Sequence, residues 1–213
     1  MGGFQRPIQE DRGPDYGGRV RKLLARIWLA IWRWKVVQQE PIPPKCVMIA
    51  APHTSNWDFP ITMAMAADHG IDIRWLGKSQ MFVPVFGALF RWLGGISVER
   101  SSASGLVGDL AAEFSRHDEL ILVVPAEGTR SKVDYWKSGF YRIAEQAGVP
   151  IVCAFVDKAT RSGGFGPVIM PSGDVTADMD LIRAFYADKT GFKPERFGVP
   201  RLREEDATEA PAG

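Results

Sequence analysis

Cysteine is nearly missing from this 213-residue chain, which has two, Cys46 and Cys153. Two thiols exclude a disulfide scaffold of several bridges and a four-cysteine zinc site. Both sit in apolar, strand-like runs, so they read as reduced core residues of a cytosolic protein. A charge bias is missing too: 26 basic residues face 25 acidic ones, for a net charge of +1. That balance excludes nucleic-acid binding through bulk charge. No apolar run approaches the roughly 20 residues of a membrane-spanning helix. The first 18 residues are polar and glycine-rich, without the apolar core and cleavage site of a signal peptide, so export by that route is not expected. Internal repeats and long low-complexity segments are absent as well. With 46% apolar and 24% charged residues, the chain is neither disordered, collagen-like nor a coiled-coil rod.

Tryptophan is abundant: there are seven, and Trp28, Trp32 and Trp34 fall close together. The same segment carries Arg19, Arg21, Lys22, Arg26, Arg33 and Lys35 and no acid. Val20, Leu23, Leu24, Ile27, Trp28, Ile31 and Trp32 recur at the spacing of one helical face. A helix over 19–37 is expected, ended by Pro41, Pro43 and Pro44. Its stripe and basic fringe suit an interfacial helix lying in anionic headgroups, the alternative being one docked on the domain's own core.

Residues 1–18 read as a flexible arm, 38–200 as the main domain and 201–213 as a disordered polar tail. Within the domain, short apolar strands alternate with helices. Strands are expected at 46–51, 71–76, 96–98, 120–124, 150–156 and 168–170. Helices are expected at 60–69, 81–93, 104–116, 138–147 and 178–187. This order predicts a single α/β domain with a mostly parallel central sheet and helices on both faces, preceded by the amphipathic helix. In such sheets ligands bind beyond the carboxyl ends of the strands, so polar residues just after a strand deserve first scrutiny.

Three strand ends stand out. After the first come His53 and Asp58. A turn that folds the carboxylate onto the imidazole fixes its tautomer and leaves the second nitrogen as a base. The plainer alternative is a histidine that caps the next helix. Gly94 to Arg100 ends another strand in an arginine, a fork for a phosphate or a partner for Glu99. Glu127, Gly128, Thr129 and Arg130 follow the most apolar strand. Gly128 permits close backbone approach, and Arg130 offers a second phosphate fork or pairs with Glu127. His69 and His117 lie in helical, solvent-facing contexts and do not read as ligands.

Taken together and in this order, these blocks resemble the glycerolipid acyltransferase superfamily, whose best-known members are the 1-acylglycerol-3-phosphate acyltransferases. His53 and Asp58 match H-x-x-x-x-D, and Glu127 to Arg130 match E-G-T-R. Gly94 to Arg100 resembles G-x-x-x-x-x-R, and Gly148 to Val152 resembles the V-P-I strand. Lys78 with Met81, Phe82, Pro84 and Gly87 resembles the lysine-bearing stretch between the first two blocks. Trp136 to Gly139 resembles the segment after the third. The likeness covers roughly 45–157. It departs at Ala126, where the family usually has proline, and at Val98-Glu99, where an aromatic and an aspartate are usual.

The resemblance implies His53 and Asp58 as a catalytic dyad, and Lys78, Arg100, Glu127, Gly128, Thr129 and Arg130 as substrate-binding residues. It implies transfer of a fatty acyl group from a thioester, acyl-CoA or acyl carrier protein, to the hydroxyl of a lysophospholipid such as 1-acylglycerol-3-phosphate, in phospholipid biosynthesis. No cofactor, metal or nucleic acid is implied. The expected place is the cytoplasm, peripherally on the inner face of an anionic membrane. The alternatives are a non-catalytic membrane-docking lipid-binding module, an acyltransferase for another lyso-lipid acceptor, or a thioesterase or lipase, with water replacing the acceptor. The stretch Met81 to Leu93 suits an acyl-chain groove, a membrane surface or ordinary core.

Overall fold

The structure, a computed structural model, describes residues 16–98 and 103–208. In chain order the elements are α1 (Tyr16–Ile31), β1 (Lys35–Gln38), β2 (Lys45–Ala50), α2 (Asp58–His69), β3 (Ile73–Lys78), α3 (Pro84–Trp92) and β4 (Gly95–Val98). There follow α4 (Ala103–Arg116), β5 (Leu120–Val124), α5 (Gly139–Ala147), β6 (Ile151–Asp157), β7 (Ser162–Ile169), α6 (Val175–Tyr186) and α7 (Glu205–Thr208). Among the described residues, seven strands form one sheet in the order β1-β7-β6-β2-β5-β3-β4. The five from β6 to β4 are parallel. β7 runs antiparallel to β6, and β1 parallel to β7.

Residue alternation along the strands divides the core into two layers. Val47, Ile49, Leu122, Ile151 and Cys153 face α4, α5 and α6 through Phe114, Phe140, Ile182 and their neighbours. Cys46, Met48, Trp75, Val123 and Val152 face the other side, where Leu29 of α1, Ile61 and Met65 of α2, and Phe82 before α3 cover them. Both cysteines are free and buried, and burial pushes their thiols up to about 12, so both stay protonated at neutral pH.

The first helix ends six residues earlier than its periodicity suggests. Arg33 adopts a positive φ of 57°. The N–H of Trp34 then returns to the carbonyl of Leu29, and that of Arg33 to Ala30, closing the helix as a left-handed cap does. Lys35 to Gln38 leave in extended form and pair with β7. Their close approach is possible because Gly164 has no side chain: a Cβ there would lie 1.8 Å from the carbonyl oxygen of Val37.

The tail also departs from expectation, since residues 201–208 are not a loose segment. Leu202 is fully buried in the core layer that holds α6. Glu205, itself buried, accepts from Arg183 Nη1 at 2.6 Å and from the Leu202 N–H at 2.6 Å. A lone leucine among charges gives no periodic signal, yet it anchors the turn. Leu202→Ala is expected to cost about 2–5 kcal/mol, read as a lower denaturant midpoint. An unpacked tail would leave the midpoint unchanged.

Candidate active site

Strand order brings the predicted blocks together. β2 lies between β6 and β5, and β5 pairs with β3, so the ends of β2, β5 and β3 are neighbours. Ile49 is in register with Val124, and Trp75 with Val123. His53, Glu127 and Lys78 therefore leave the same edge of the sheet within a few residues of one another. There a cleft of about 450 Å³ opens, lined by His53, Asp58, Lys78, Gly128, Thr129 and Arg130. Its inner wall is apolar, formed by Phe59, Met65, Trp75, Val123 and Phe165. Arg100 lies outside the described residues.

The turn after β2 does fold Asp58 back. His53 Nδ1 stands 3.4 Å from Asp58 Oδ2. The same carboxylate oxygen accepts the Ser55 N–H at 2.8 Å, which fixes Asp58 at the first residue of α2. A carboxylate at a helix N-terminus is favoured by the helix dipole. The Nδ1 side of the ring faces Asp58, and a proton held there leaves Nε2 its lone pair. His53 is half-buried and Asp58 buried, so the pair is screened on one side and open to the cleft on the other.

Glu127 does not line the cleft. It is 2% exposed, and its Oε1 accepts the backbone N–H of His53 at 2.7 Å. Burial pushes its carboxyl up to about 7, against the lowering by the His53 N–H and imidazole, while the charge of Asp58 raises it further. It is therefore not the partner of Arg130, which is exposed. The turn between them needs Gly128, at φ 68°, whose N–H donates to the Pro125 carbonyl at 2.9 Å. A side chain at Gly128 would also press on Lys137. Neither Lys78 nor Arg130 pairs with a carboxylate among the described residues.

Sequence reasoning missed a second brace. Thr54, next to His53, is fully buried, and its hydroxyl accepts from the N–H groups of Phe192 and Lys193 at 3.0 and 3.2 Å. Gly191 fits against Pro52 and Thr54 at that point, with a φ of 66°. Asp157, at the end of β6, accepts from the Thr190 hydroxyl at 2.6 Å and so holds the same strap. Only the polar residue beside the candidate histidine hinted at this contact.

The other two histidines are not solvent-facing. His69 Nδ1–H donates to the Met65 carbonyl at 3.1 Å and its ring meets the edge of Phe165. His117 lies 3.3 Å from the buried Glu113. His69 is tied to its own helix and His117 to the helix that precedes it, and neither lines the cleft. Met81 to Leu93 divides three ways: Phe82 and Phe90 pack on Trp75, Met81 lines the cleft, and Phe86, Leu89 and Trp92 are exposed.

Comparison with known proteins fits this geometry. No curated protein matches the chain. Its fold resembles the crystal structure of the 1-acyl-sn-glycerophosphate (LPA) acyltransferase PlsC from Thermotoga maritima, with a TM-score of 0.58 over 82% of this chain and 80% of that one. The two are 15% identical, so this likeness concerns the fold. Residues 33–157 match the protein family described as Acyltransferase. That stretch spans more than half of the chain and includes His53, Asp58, Lys78 and Glu127 to Arg130, and the protein belongs to the acyltransferase family.

Proposed function

We propose that the protein moves a fatty acyl group from a thioester, acyl-CoA or acyl carrier protein, to the hydroxyl of a lysophospholipid such as 1-acylglycerol-3-phosphate, as a step of phospholipid biosynthesis. One observation carries the reading: a His–Asp pair and two cations with no carboxylate partner among the described residues, Lys78 and Arg130, share a cleft with an apolar inner wall. The cations suit a phosphate and the wall suits an acyl chain. His53 Nε2 takes the proton of the acceptor hydroxyl as its oxygen attacks the thioester carbonyl. Asp58 stabilises the imidazolium that forms. The carbon–sulfur bond then breaks, and the imidazolium returns its proton to the leaving thiolate. The acceptor oxygen is the nucleophile, so the protein itself forms no acyl intermediate.

The phosphate role is tested by Arg130→Ala with donor and acceptor varied separately. Losing a charge-assisted contact of about 1.5–3 kcal/mol raises the acceptor KM by roughly 10–100-fold, with the thioester KM unchanged. An unchanged acceptor KM removes the phosphate from the account.

The same reading includes attachment to an anionic membrane, on the cytoplasmic side. No helix among the described residues is long and apolar enough to cross a membrane. α1 instead docks on α2 by a narrow face. Ala25 and Leu29 are buried, and Arg21 and Arg26 pair with Asp72 and Asp68 at 3.2 and 2.5 Å. That leaves Val20, Leu23, Leu24, Ile27, Ile31 and Trp32 exposed along one stripe. On the same face of the sheet, α3 exposes Phe86, Leu89 and Trp92, and Trp57 is exposed beside the His53 turn. Exposed apolar side chains on the face of the sheet that carries the cleft suit a bilayer interface.

A further inference from the structure

The acyl-acceptor role that family resemblance assigns to Glu127 conflicts with where its carboxylate lies. It is buried behind His53, outside the cleft, and its Oε1 accepts the His53 N–H at 2.7 Å. A neutral carbonyl would satisfy that N–H at lower cost, because burying a carboxylate without a full counter-charge is unfavourable. An ionisable acid at this position therefore needs a reason. The one cation the proposed reaction creates nearby is the imidazolium of His53, which faces Asp58 on its Nδ1 side at 3.4 Å.

We propose that Glu127 is a positioning residue for acyl transfer: its buried carboxylate pins His53 through the backbone and adds a second negative charge that favours the imidazolium. This rests on the acyltransfer reading above and replaces acceptor binding as the task of this glutamate.

Among the described residues, the charged and titratable groups facing Glu127 are few. His53 and Asp58 approach from the turn after β2 and the start of α2. Tyr186 of α6 comes from the other layer, held neutral by full burial, with its hydroxyl on the carbonyls of Ile49 and Ala154. Lys137 is tied by its own N–H to the Ala126 carbonyl, and its aliphatic stem lies over Gly128. In this setting the Glu127 carboxyl titrates at about 7, above its ordinary value of 4.5. The folded state thus holds this proton better than the unfolded chain does. The resulting stabilisation is complete below the ordinary value and is lost as pH rises through about 7. At pH 8 the ionised glutamate weakens the fold that it serves.

The test compares wild type with Glu127→Gln and Glu127→Ala, using 1-acylglycerol-3-phosphate and acyl-CoA or acyl carrier protein in detergent. Gln keeps an acceptor for the His53 N–H and removes the charge. Expected for Gln at pH 8 are a kcat about tenfold lower, an unchanged acceptor KM and a higher Tm than wild type. Both differences shrink toward pH 5.5, where wild-type Glu127 is itself protonated. Ala loses the anchor as well and falls further in kcat. A raised acceptor KM with kcat retained would overturn the proposal in favour of acceptor binding. A lowered Tm for Gln at pH 8 would overturn it in favour of a merely structural role, as would a kcat loss that does not change with pH. An active wild type with an equally active Gln variant overturns this inference alone, whereas a wild type without turnover overturns the acyltransfer reading and this one together.

Discussion

His53→Ala is expected to lower kcat by at least 10²–10⁴-fold, the usual loss on removing a general base. The fold should survive the change. The His53 side chain is 27% exposed and its backbone N–H, the group that Glu127 holds, remains in alanine. Surface-facing truncations of this kind usually shift stability by less than about 1 kcal/mol. Thermal unfolding of the variant beside its turnover therefore separates chemistry from folding. A variant with near-normal turnover would remove His53 from the mechanism, whatever else lines the cleft.

The second large effect concerns α1. Replacing Leu24 and Ile31 together by aspartate is expected to reduce partitioning onto anionic vesicles by 10²-fold or more. Burying each such side chain in a membrane contributes roughly 1.5–3 kcal/mol, and each new acid repels the lipid surface. Both residues are exposed, at 61% and 70%, so the fold does not depend on them. Activity on acceptor dispersed in detergent should be unchanged, while activity on acceptor held in vesicles should fall. Salt should weaken wild-type binding without abolishing it, because Arg19, Lys22 and Arg33 act through a screened field and the stripe does not. Equal vesicle binding by the two proteins would assign the stripe to another partner. Deleting the whole segment through Val37 would be a poorer experiment: Leu29 is buried and Lys35 to Gln38 form an edge strand, so that truncation attacks the core.

The sequence made the α/β layering legible because most strands are short apolar runs separated by helices of clear periodicity. Leu120 to Val124 is predicted and observed with the same bounds. The opening of β7 was not legible. Ser162-Gly163-Gly164-Phe165-Gly166 reads as a loop, and its strand exists because glycine lets neighbours approach. A Cβ on Gly163 would meet Met65, and one on Gly166 would meet Phe185. The reversal of β7 follows from the short link after Asp157, since four residues can join antiparallel neighbours but not parallel ones. At the site, chain spacing alone suggested that Asp58 returns to His53, and the turn brings them to ion-pair distance. Glu127 was misleading for a physical reason: a charged residue between alanine and glycine reads as an exposed turn, and its burial depends on β2 lying next to β5. The brace from Thr54 to the 190–193 strap joins residues about 140 positions apart and leaves no local pattern.

The central claim is acyl transfer from a thioester to a lysophospholipid hydroxyl at the His53 cleft. It is tested most directly by mass spectrometry of the products formed when the purified protein meets 1-acylglycerol-3-phosphate with acyl-CoA, and in parallel with acyl carrier protein thioester. The account predicts a diacyl product in one-to-one ratio with released thiol, none of it formed by His53→Ala. Free fatty acid released at the same rate with and without the acceptor would contradict it and make the protein a thioesterase.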